Sequence, residues 1–325
     1  MNTKKHIRLW ITLVGIFVFV GAHAKADTFG SGANSFTIDF VNIGNPGNGN
    51  DAAFDNTPPG FSSPFGGVTY DYRMGVTEVP QDWITKATNS GLTNVTAGRW
   101  TDIQPAANIT WYEAAAFVNW MNTSTGHPAA YDLNWTGADW TMNLWSSGQA
   151  WQAGGENLYR HKDAFYFLPS EDEWYKAAFH KNDGVTANYW DYATGSDSIP
   201  TAVVNGTGAG TAVYNAVTSS PADVDNNGGL SPYGTRGQNG NVWEWQESAL
   251  SAPNDSSSED RAIRGGRFDL PDAILRSSYR GPVDPSYSDD SLGFRVASVP
   301  EPSSVILMLG SGWIWLLKRC RKPVR

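Results

Sequence analysis

The chain is nearly free of cysteine, since Cys320 is the only one among 325 residues. It can therefore form no internal disulfide and no metal site built on several thiolates. Histidine is also scarce, and only His127, His161 and His180 lie between the two ends of the chain. None of these is spaced i, i+4 on a helix, so a histidine-rich iron centre is not indicated. A chain of this length can still bury a core without disulfides.

Positive charge is the second shortage. Nine of the 23 basic residues lie in the first 25 or the last eight positions, which leaves 14 basic against 32 acidic residues between them. Such an excess of negative charge repels nucleic acid and favours cations at the surface. We therefore expect no nucleic-acid partner.

Long uncharged apolar runs occur only at the two ends. Leu9 to Val20 follows Lys4, Lys5 and Arg8, and small residues suited to cleavage come next in Ala22-His-Ala24 or Ala24-Lys-Ala26. This order is typical of a secretory signal peptide, assigned to residues 1–26 with Ala24 and Ala26 as processing residues. The alternative is an uncleaved N-terminal anchor, although the run is short for a membrane span.

The C-terminal end has a more specific order. Val299-Pro-Glu-Pro302 precedes the uncharged segment 303–317, and Lys318-Arg-Cys-Arg-Lys322 follows. Residues 299–325 thus resemble the PEP-CTERM sorting signal of exported bacterial proteins. The resemblance implies cleavage near Pro300, Glu301 and Pro302 by an exosortase-type membrane protease. It also implies transient anchoring in the inner membrane through 303–317 and release to the envelope or the outside. The alternative is an ordinary C-terminal anchor.

Between the ends, periodicity predicts two strands and a long loop. Apolar and polar residues alternate from Phe36 to Gly44, and a second period-two run extends from Val68 to Val79. The Gly/Pro/Asn-rich stretch 45–67 between them predicts a loop. Residues 187–229 are poor in charge and rich in Gly, Asn, Thr and Ala, with recurring aromatic residues, which favours a domain of irregular loops.

Two helix starts follow from capping chemistry. Thr110-Trp-Tyr-Glu113 and Ser170-Glu-Asp-Glu173 are both capping boxes, in which the first side chain accepts from a backbone N–H and the glutamate reaches back. They predict helices over 114–122 and 174–180.

Six phrases carry a resemblance to one family. They are Tyr72–Val79, Ile109–Ala114, Leu168–Trp174, Gly240–Trp245, Arg264–Gly266 and Leu292–Ala297. Together they resemble the formylglycine-generating enzyme, or sulfatase-modifying factor, family. The resemblance implies an α+β, C-type-lectin-like fold with much irregular loop structure, assigned to one domain over 27–298. Trp111, Trp174, Trp243 and Trp245 belong to these phrases, which favours a place in the core.

The family's oxidases bind copper through a cysteine pair between the last two phrases, and residues 264–297 contain no cysteine. Oxygen donors there cannot replace thiolates on monovalent copper. The sequence therefore predicts neither copper nor formylglycine-generating oxidase activity. A serine hydrolase is not indicated either, because the Gly-x-Ser-x-Gly motif is missing.

The resemblance implies a structural calcium site as well. The family uses the backbone carbonyls of the positions of Gly240 and Val242 and the carboxylate at Glu244, which are the oxygen ligands that calcium takes. Gly237 stands where the family usually supplies an Asp or Asn ligand. The alternative is that Glu244 only hydrogen-bonds the loop backbone.

The segment 267–291 would form the face where the oxidases hold their substrate peptide. Its loops offer contact residues, and the predicted ligand-binding set is Phe268, Asp269, Tyr279, Asp284 and Tyr287. The arginines nearby, Arg276, Arg280 and Arg295, match common family positions and could instead form internal salt bridges. The less patterned tryptophans, Trp135, Trp140, Trp145 and Trp151, are candidates for stacking against sugars.

The sequence thus predicts an exported envelope or extracellular protein that is not an oxidase. Its domain would be a ligand-binding or structural module associated with extracellular polysaccharide or a surface protein. The alternative is an enzyme with unrecognised chemistry in the same cleft, because a fold alone does not decide between these functions.

Overall fold

The computed structural model describes residues 25–53, 64–96, 98–251 and 253–300. The predicted processing residues Ala24, Glu301 and Pro302 and the apolar segment 303–317 lie outside the described residues. Ala26 lies in the first strand and Pro300 is the last residue described. Within the described ranges, no helix combines the length and apolar character that a membrane crossing requires.

The fold is a mixed α+β arrangement with three α-helices and fifteen short strands among the described residues. The helices are α1 (Gln81–Thr88), α2 (Trp111–Ser124) and α3 (Glu171–Phe179). The strands in chain order are β1 (Lys25–Phe29), β2 (Phe36–Ile43), β3 (Tyr72–Gly75), β4 (Asp132–Trp135), β5 (Trp140–Asn143), β6 (Ala150–Trp151), β7 (Asn157–His161), β8 (Tyr166–Phe167), β9 (Thr201–Ala202), β10 (Thr211–Ala212), β11 (Trp243–Ala249), β12 (Arg261–Arg264), β13 (Gly281–Val283), β14 (Leu292–Gly293) and β15 (Ala297–Ser298).

The larger sheet has five antiparallel strands in the order β1-β2-β3-β15-β8. Strand β2 confirms the alternation predicted from Phe36, because its apolar side chains are buried, except the half-buried Val41, and its polar side chains are exposed. Strand β3 is shorter than the predicted run 68–79, and all four of its residues are buried. The strand begins later than predicted, and at the start of the predicted run the Val68 carbonyl accepts from the N–H of Gly47, in the preceding loop, at 2.7 Å.

The second sheet brings the C-terminal phrases together. Its order is β13-β12-β11-β14, with β11 antiparallel to β12 and parallel to β14. In this register Glu244 lies between Arg264 on one neighbouring strand and Gly293 on the other. Three phrases that are far apart in the chain are therefore adjacent in one sheet.

Both predicted capping boxes are present. Thr110 Oγ1 accepts from the Glu113 N–H at 3.1 Å, and Glu113 Oε2 accepts from the Thr110 N–H at 2.9 Å. Ser170 and Glu173 repeat the pair at the start of α3, with distances of 3.2 and 2.6 Å. The helices begin directly after these caps, a few residues earlier than predicted. Helix α1 was not predicted, and its first turn follows Pro80 without a side-chain cap.

The family-phrase tryptophans lie in the core, as predicted. Trp111, Trp174 and Trp245 are completely buried, and Trp243 nearly so. Each of the first three has a partner for its indole N–H, as buried tryptophans require, at 2.7 to 3.0 Å. Residues 187–229 are irregular, as predicted, with two-residue strands β9 and β10 within them.

Candidate functional site

The N-terminus of α3 is the base of the candidate site. Its first turn carries three consecutive acidic residues, Glu171, Asp172 and Glu173. The exposed N–H groups and the macrodipole of a helix N-terminus favour negative charge there. The structure gives each of the three a different set of partners, and these partners define the site.

Glu173 belongs to a buried acidic triad with Arg160 and Glu247. Arg160 donates to both oxygens of Glu173 at 3.0 and 2.9 Å and to both oxygens of Glu247 at 2.9 and 2.7 Å. Burial acts to raise the pKa of Glu173, but the charge and hydrogen bonds of Arg160 outweigh it and lower that pKa. Burial raises the pKa of Glu247. Tyr70 and Asn157 add hydrogen bonds at 2.8 and 2.5 Å, so the triad is well satisfied.

Glu171 belongs to a basic triad with Arg264 and Arg280. Arg264 Nε and Arg280 Nε donate to the same Glu171 oxygen at 2.7 and 2.8 Å, and Arg280 Nη2 donates to the other at 2.5 Å. The Phe65 ring covers both guanidinium groups, with its centroid 4.7 Å from Arg264 Cζ and 5.0 Å from Arg280 Cζ. Such cation–π contacts stabilise partly desolvated arginines. The sequence alternative of internal salt bridges is thus confirmed for Arg280.

A cleft of about 640 Å³ opens above the two triads. Its walls come from residues 65–70, from the turn 151–157, from the start of α3, from the end of β11 at 248–249 and from residues 250, 251, 253 and 254 after it. Arg160, Glu171 and Arg280 form part of its lining. The volume falls in the range typical of small-molecule sites.

Aromatic side chains form one wall of the cleft. The ring of Trp151 meets the ring of Tyr70 edge-on, with centroids 5.6 Å apart. Trp151 donates its indole N–H to the Ala153 carbonyl at 2.9 Å, and both rings are half-buried. The Arg160 guanidinium lies over the Trp151 ring, 5.1 Å from its centroid, so the aromatic wall adjoins polar groups of the cleft. Apolar and polar groups side by side are the combination that small-molecule sites use for affinity and orientation.

Two carboxylates in the cleft lie outside the triads. Asp172 accepts from the Gly66 N–H at 2.8 Å, and burial raises the pKa of Asp172 to about 6. Glu156 is exposed and accepts from the Ser147 hydroxyl at 2.5 Å. Neither carboxylate pairs with a basic side chain in the part of the chain that the structure describes. Neither residue was predicted from the sequence. The run of three acids after the Ser170 cap was a signal for Asp172 but not for Glu156.

The predicted calcium ligand Glu244 is already neutralised. Arg295 Nε and Nη2 each lie 2.5 Å from one oxygen of Glu244, and the Trp174 indole N–H donates to Oε2 at 2.7 Å. Because a guanidinium group occupies the plane of the carboxylate, these residues do not fit a calcium site made from Gly240, Val242 and Glu244. Across the described ranges, no group of three or more His, Cys, Asp or Glu side chains is placed to hold a metal ion.

The structure explains why position 237 is a glycine, where the family usually has an Asp or Asn ligand. Its φ is +81°, and a Cβ at this position would lie 2.4 to 2.6 Å from the carboxylate atoms of Glu78. Glu78 is completely buried and accepts from the amides of Asn227 and Asn241 at 2.8 to 3.0 Å. The Glu78 side chain thus fills the space that an Asp or Asn side chain at 237 would take.

The predicted ligand-binding residues do not line the cleft. Phe268 is buried edge-on against Trp100, which removes it from any surface. The remaining four have separate environments. Asp269 pairs with Arg267, Tyr279 stacks on Trp243, Asp284 bonds Ser286, and Tyr287 is exposed.

Of the four tryptophans that are candidates for sugar stacking, only Trp151 lines the cleft. Trp135 is exposed on the β4–β5 hairpin, with its ring edge-on to Trp140 at 5.3 Å. Trp140 and Trp145 donate their indole N–H groups to backbone carbonyls at 2.9 and 3.0 Å.

The chain matches one known protein family in sequence and several known structures in fold. Residues 68–299 match the model of the sulfatase-modifying factor enzyme 1-like domain. A search of curated proteins found no match to the sequence. Among solved structures, the chain is similar to variable protein 1 of Treponema denticola, with 20% identity, a TM-score of 0.54 and coverage of 85% of this chain and 99% of that chain.

Two further structures share the fold. The chain is similar to CarF, with 19% identity, a TM-score of 0.57 and coverage of 81% of this chain and 99% of CarF. It is also similar to PvdO from Pseudomonas aeruginosa, with 15% identity, a TM-score of 0.51 and coverage of 84% of this chain and 98% of PvdO. At these identities the similarity concerns the fold alone.

Proposed function

The chain belongs to the sulfatase-modifying factor enzyme 1-like family, and on that premise we propose that it is a ligand-binding member without oxidase chemistry. The fold is the formylglycine-generating-enzyme-like, C-type-lectin-like α+β fold. The assigned domain 27–298 contains no cysteine to bind copper. The proposed function therefore depends on the cleft above α3 and not on the family's oxidation reaction.

The ligand proposed for this cleft is a saccharide of an extracellular polysaccharide, and the residues that line the cleft support this choice. The rings of Tyr70 and Trp151 offer an aromatic wall against which the apolar face of a sugar can pack. Asp172 and Asn254 line the same cleft. Asp172 offers a carboxylate oxygen for sugar hydroxyls, and Asn254 offers the second N–H of its amide, since the first is donated to Asn157 at 3.0 Å. Packing and hydrogen bonding of these two kinds are what a polyhydroxylated ring requires.

We propose export as the route by which the domain meets this ligand. The signal peptide predicted over 1–26 and the resemblance of 299–325 to a PEP-CTERM signal support it, and the processing partner proposed is an exosortase-type protease. In β1, Lys25 pairs with Phe40 and Ala26 with Asp39, so removal of either residue would shorten the edge strand. This pairing favours cleavage after Ala24 over cleavage after Ala26. Mass spectrometry of the protein secreted by its native host tests both ends.

The saccharide proposal is tested by a glycan array followed by calorimetry on residues 25–300. Trp151→Ala is expected to weaken binding about tenfold or more, because it removes the aromatic wall. Trp135→Ala is the matched control, since this exposed tryptophan lies on the β4–β5 hairpin outside the cleft. Equal effects of the two variants, or no binding to any glycan, would overturn the proposal.

One observation favours a second candidate, an enzyme acting in the same cleft. Burial raises the pKa of Asp172 to about 6, which is suitable for general acid or base catalysis near neutral pH. Product analysis of any glycan that binds separates the two functions. An enzyme is established if the wild-type protein produces shortened oligosaccharides and the Asp172→Asn variant does not. If the wild-type protein leaves the glycan unchanged, enzymatic cleavage of that glycan is excluded.

A further inference from the structure

The charged side chains that line the cleft leave an excess of negative charge. This excess indicates the charge of the ligand. Arg160 is shared between two carboxylates, and Arg280 is bound to Glu171. Both lining arginines are therefore committed within the triads. The two lining carboxylates outside the triads, Asp172 and Glu156, have no basic partner within the described ranges.

We infer that the cleft selects a saccharide bearing a protonated amine, which Asp172 and Glu156 hold beside the aromatic wall. This inference rests on the proposed saccharide-binding function and names the ligand's chemical class. A neutral or acidic sugar leaves the two carboxylates unpaired, and the lining arginines are not free to receive an acidic group.

Asp172 has the geometry for the contact. One of its oxygens accepts from the Gly66 N–H at 2.8 Å, which fixes the carboxyl group at the start of α3. Its other oxygen has no hydrogen-bond partner within the described ranges, and the residue lines the cleft. An ammonium group that donates to this oxygen forms a charge-assisted hydrogen bond, which is about twice as strong as a neutral one.

The aromatic wall adds to the selection. A cation near the face of Trp or Tyr is attracted by the ring quadrupole, and the attraction is strongest for Trp. Trp151 and Tyr70 line the same cleft as Asp172 and Glu156. Arg160 Cζ already lies over the Trp151 ring, 5.1 Å from its centroid. The ring surface available to a ligand amine is therefore that of Tyr70 and the part of Trp151 that Arg160 leaves uncovered.

The test compares three probes by calorimetry at pH 6.5 on residues 25–300, because the amine of a glucosamine unit titrates near neutral pH and is largely protonated there. The probes are a glucosamine oligosaccharide, its N-acetylated counterpart and an oligosaccharide of uronic acid. We expect the free amine to bind at least about tenfold more tightly than the N-acetylated form, since a charge-assisted hydrogen bond is lost on acetylation. Asp172→Asn should abolish this preference. Asp139→Asn, an exposed aspartate on the β4–β5 turn, should leave it unchanged.

The outcomes separate the inference from the function on which it rests. Equal binding of the free and N-acetylated sugars, with Trp151→Ala still harmful, overturns the inference and leaves saccharide binding in place. No binding of any sugar in the array overturns both. A lysine-rich peptide that binds more tightly than every sugar, in a manner lost with Trp151→Ala, overturns the saccharide class in favour of a cationic protein segment.

Discussion

The carboxylate of Glu78 lies in the space directly beside Gly237, where a Cβ would come within 2.4 to 2.6 Å of it. This contact explains why position 237 carries no side chain, and it has a consequence for stability. Gly237→Ala combines a clash with an unfavourable φ of +81°. We expect it to lower the free energy of unfolding by at least about 2 kcal/mol.

Gly126→Ala is the matched control for this change. Gly126 has a similar φ of +86°, but nothing lies within 4 Å of its Cβ position. Urea denaturation of both variants should therefore show a clearly larger loss for Gly237→Ala. Equal losses would mean that Glu78 does not occupy the space at 237.

The ionisation of Glu78 makes stability depend on pH. Burial, with a smaller contribution from Glu244, raises the pKa of Glu78 from 4.5 to about 7 against the opposing effect of Arg295. An acid with a raised folded-state pKa contributes stability that is complete below pH 4.5 and is lost as the pH rises to 7. Glu78→Gln should thus gain stability relative to the wild-type protein across this window and hold the gain above it. Thermal unfolding at pH 4.5, 6 and 8 measures the difference, and a flat difference contradicts the assignment.

The acidic triad depends on a single arginine. Arg160→Ala would leave Glu173 and Glu247 buried without a cation, and we expect a loss of about 3–5 kcal/mol. Arg99→Ala is the control, because its ion pair with Asp290 is exposed and such pairs contribute about 1 kcal/mol or less. Denaturant unfolding should separate the two variants clearly. A small loss for Arg160→Ala would show that the triad does not hold α3 in place.

Calcium should not stabilise the domain through Glu244. Arg295 already neutralises this carboxylate through two hydrogen bonds of 2.5 Å. We therefore expect the melting temperature to be the same in excess calcium and in EDTA. A saturable rise with calcium that disappears in Glu244→Gln would restore the site predicted from the sequence.

Binding in the cleft should weaken in acid. Burial raises the pKa of Asp172 to about 6, so its carboxylate is protonated below that pH and no longer attracts a cation. The affinity for the glucosamine oligosaccharide should fall as the pH drops from 6.5 to 5, a range in which the sugar amine stays protonated. Asp172→Asn should bind weakly across the range with little change. An affinity of the wild-type protein that does not vary with pH would exclude Asp172 from the contact.

Local signals predicted the fold well. Alternation from Phe36 predicted β2, and the capping boxes at Thr110 and Ser170 predicted the starts of α2 and α3. These features depend on residues a few positions apart, which is the range that a single sequence exposes. The phrase tryptophans, such as Trp245, were likewise placed correctly in the core.

The candidate site was not predictable in the same way. The partner of Glu244 is Arg295, 51 residues further on, and no local pattern connects them. Asp172 and Trp151 meet in one cleft only because separate segments converge above α3. Gly237 was interpreted as a missing ligand, whereas Glu78, far away in the chain, accounts for it.

The two triads fix α3 to distant parts of the chain, and this bears on the entropy of binding. Arg160 lies on β7, Glu247 on β11 and Arg264 on β12, so the floor is cross-linked to three strands through neighbouring residues of one helix turn. A floor held in this way is pre-organised and loses little conformational freedom when a ligand arrives. Ordering on binding is then confined to the rim, residues 151–157, 250, 251, 253 and 254. Specificity can therefore be re-engineered at the rim while the floor keeps its shape.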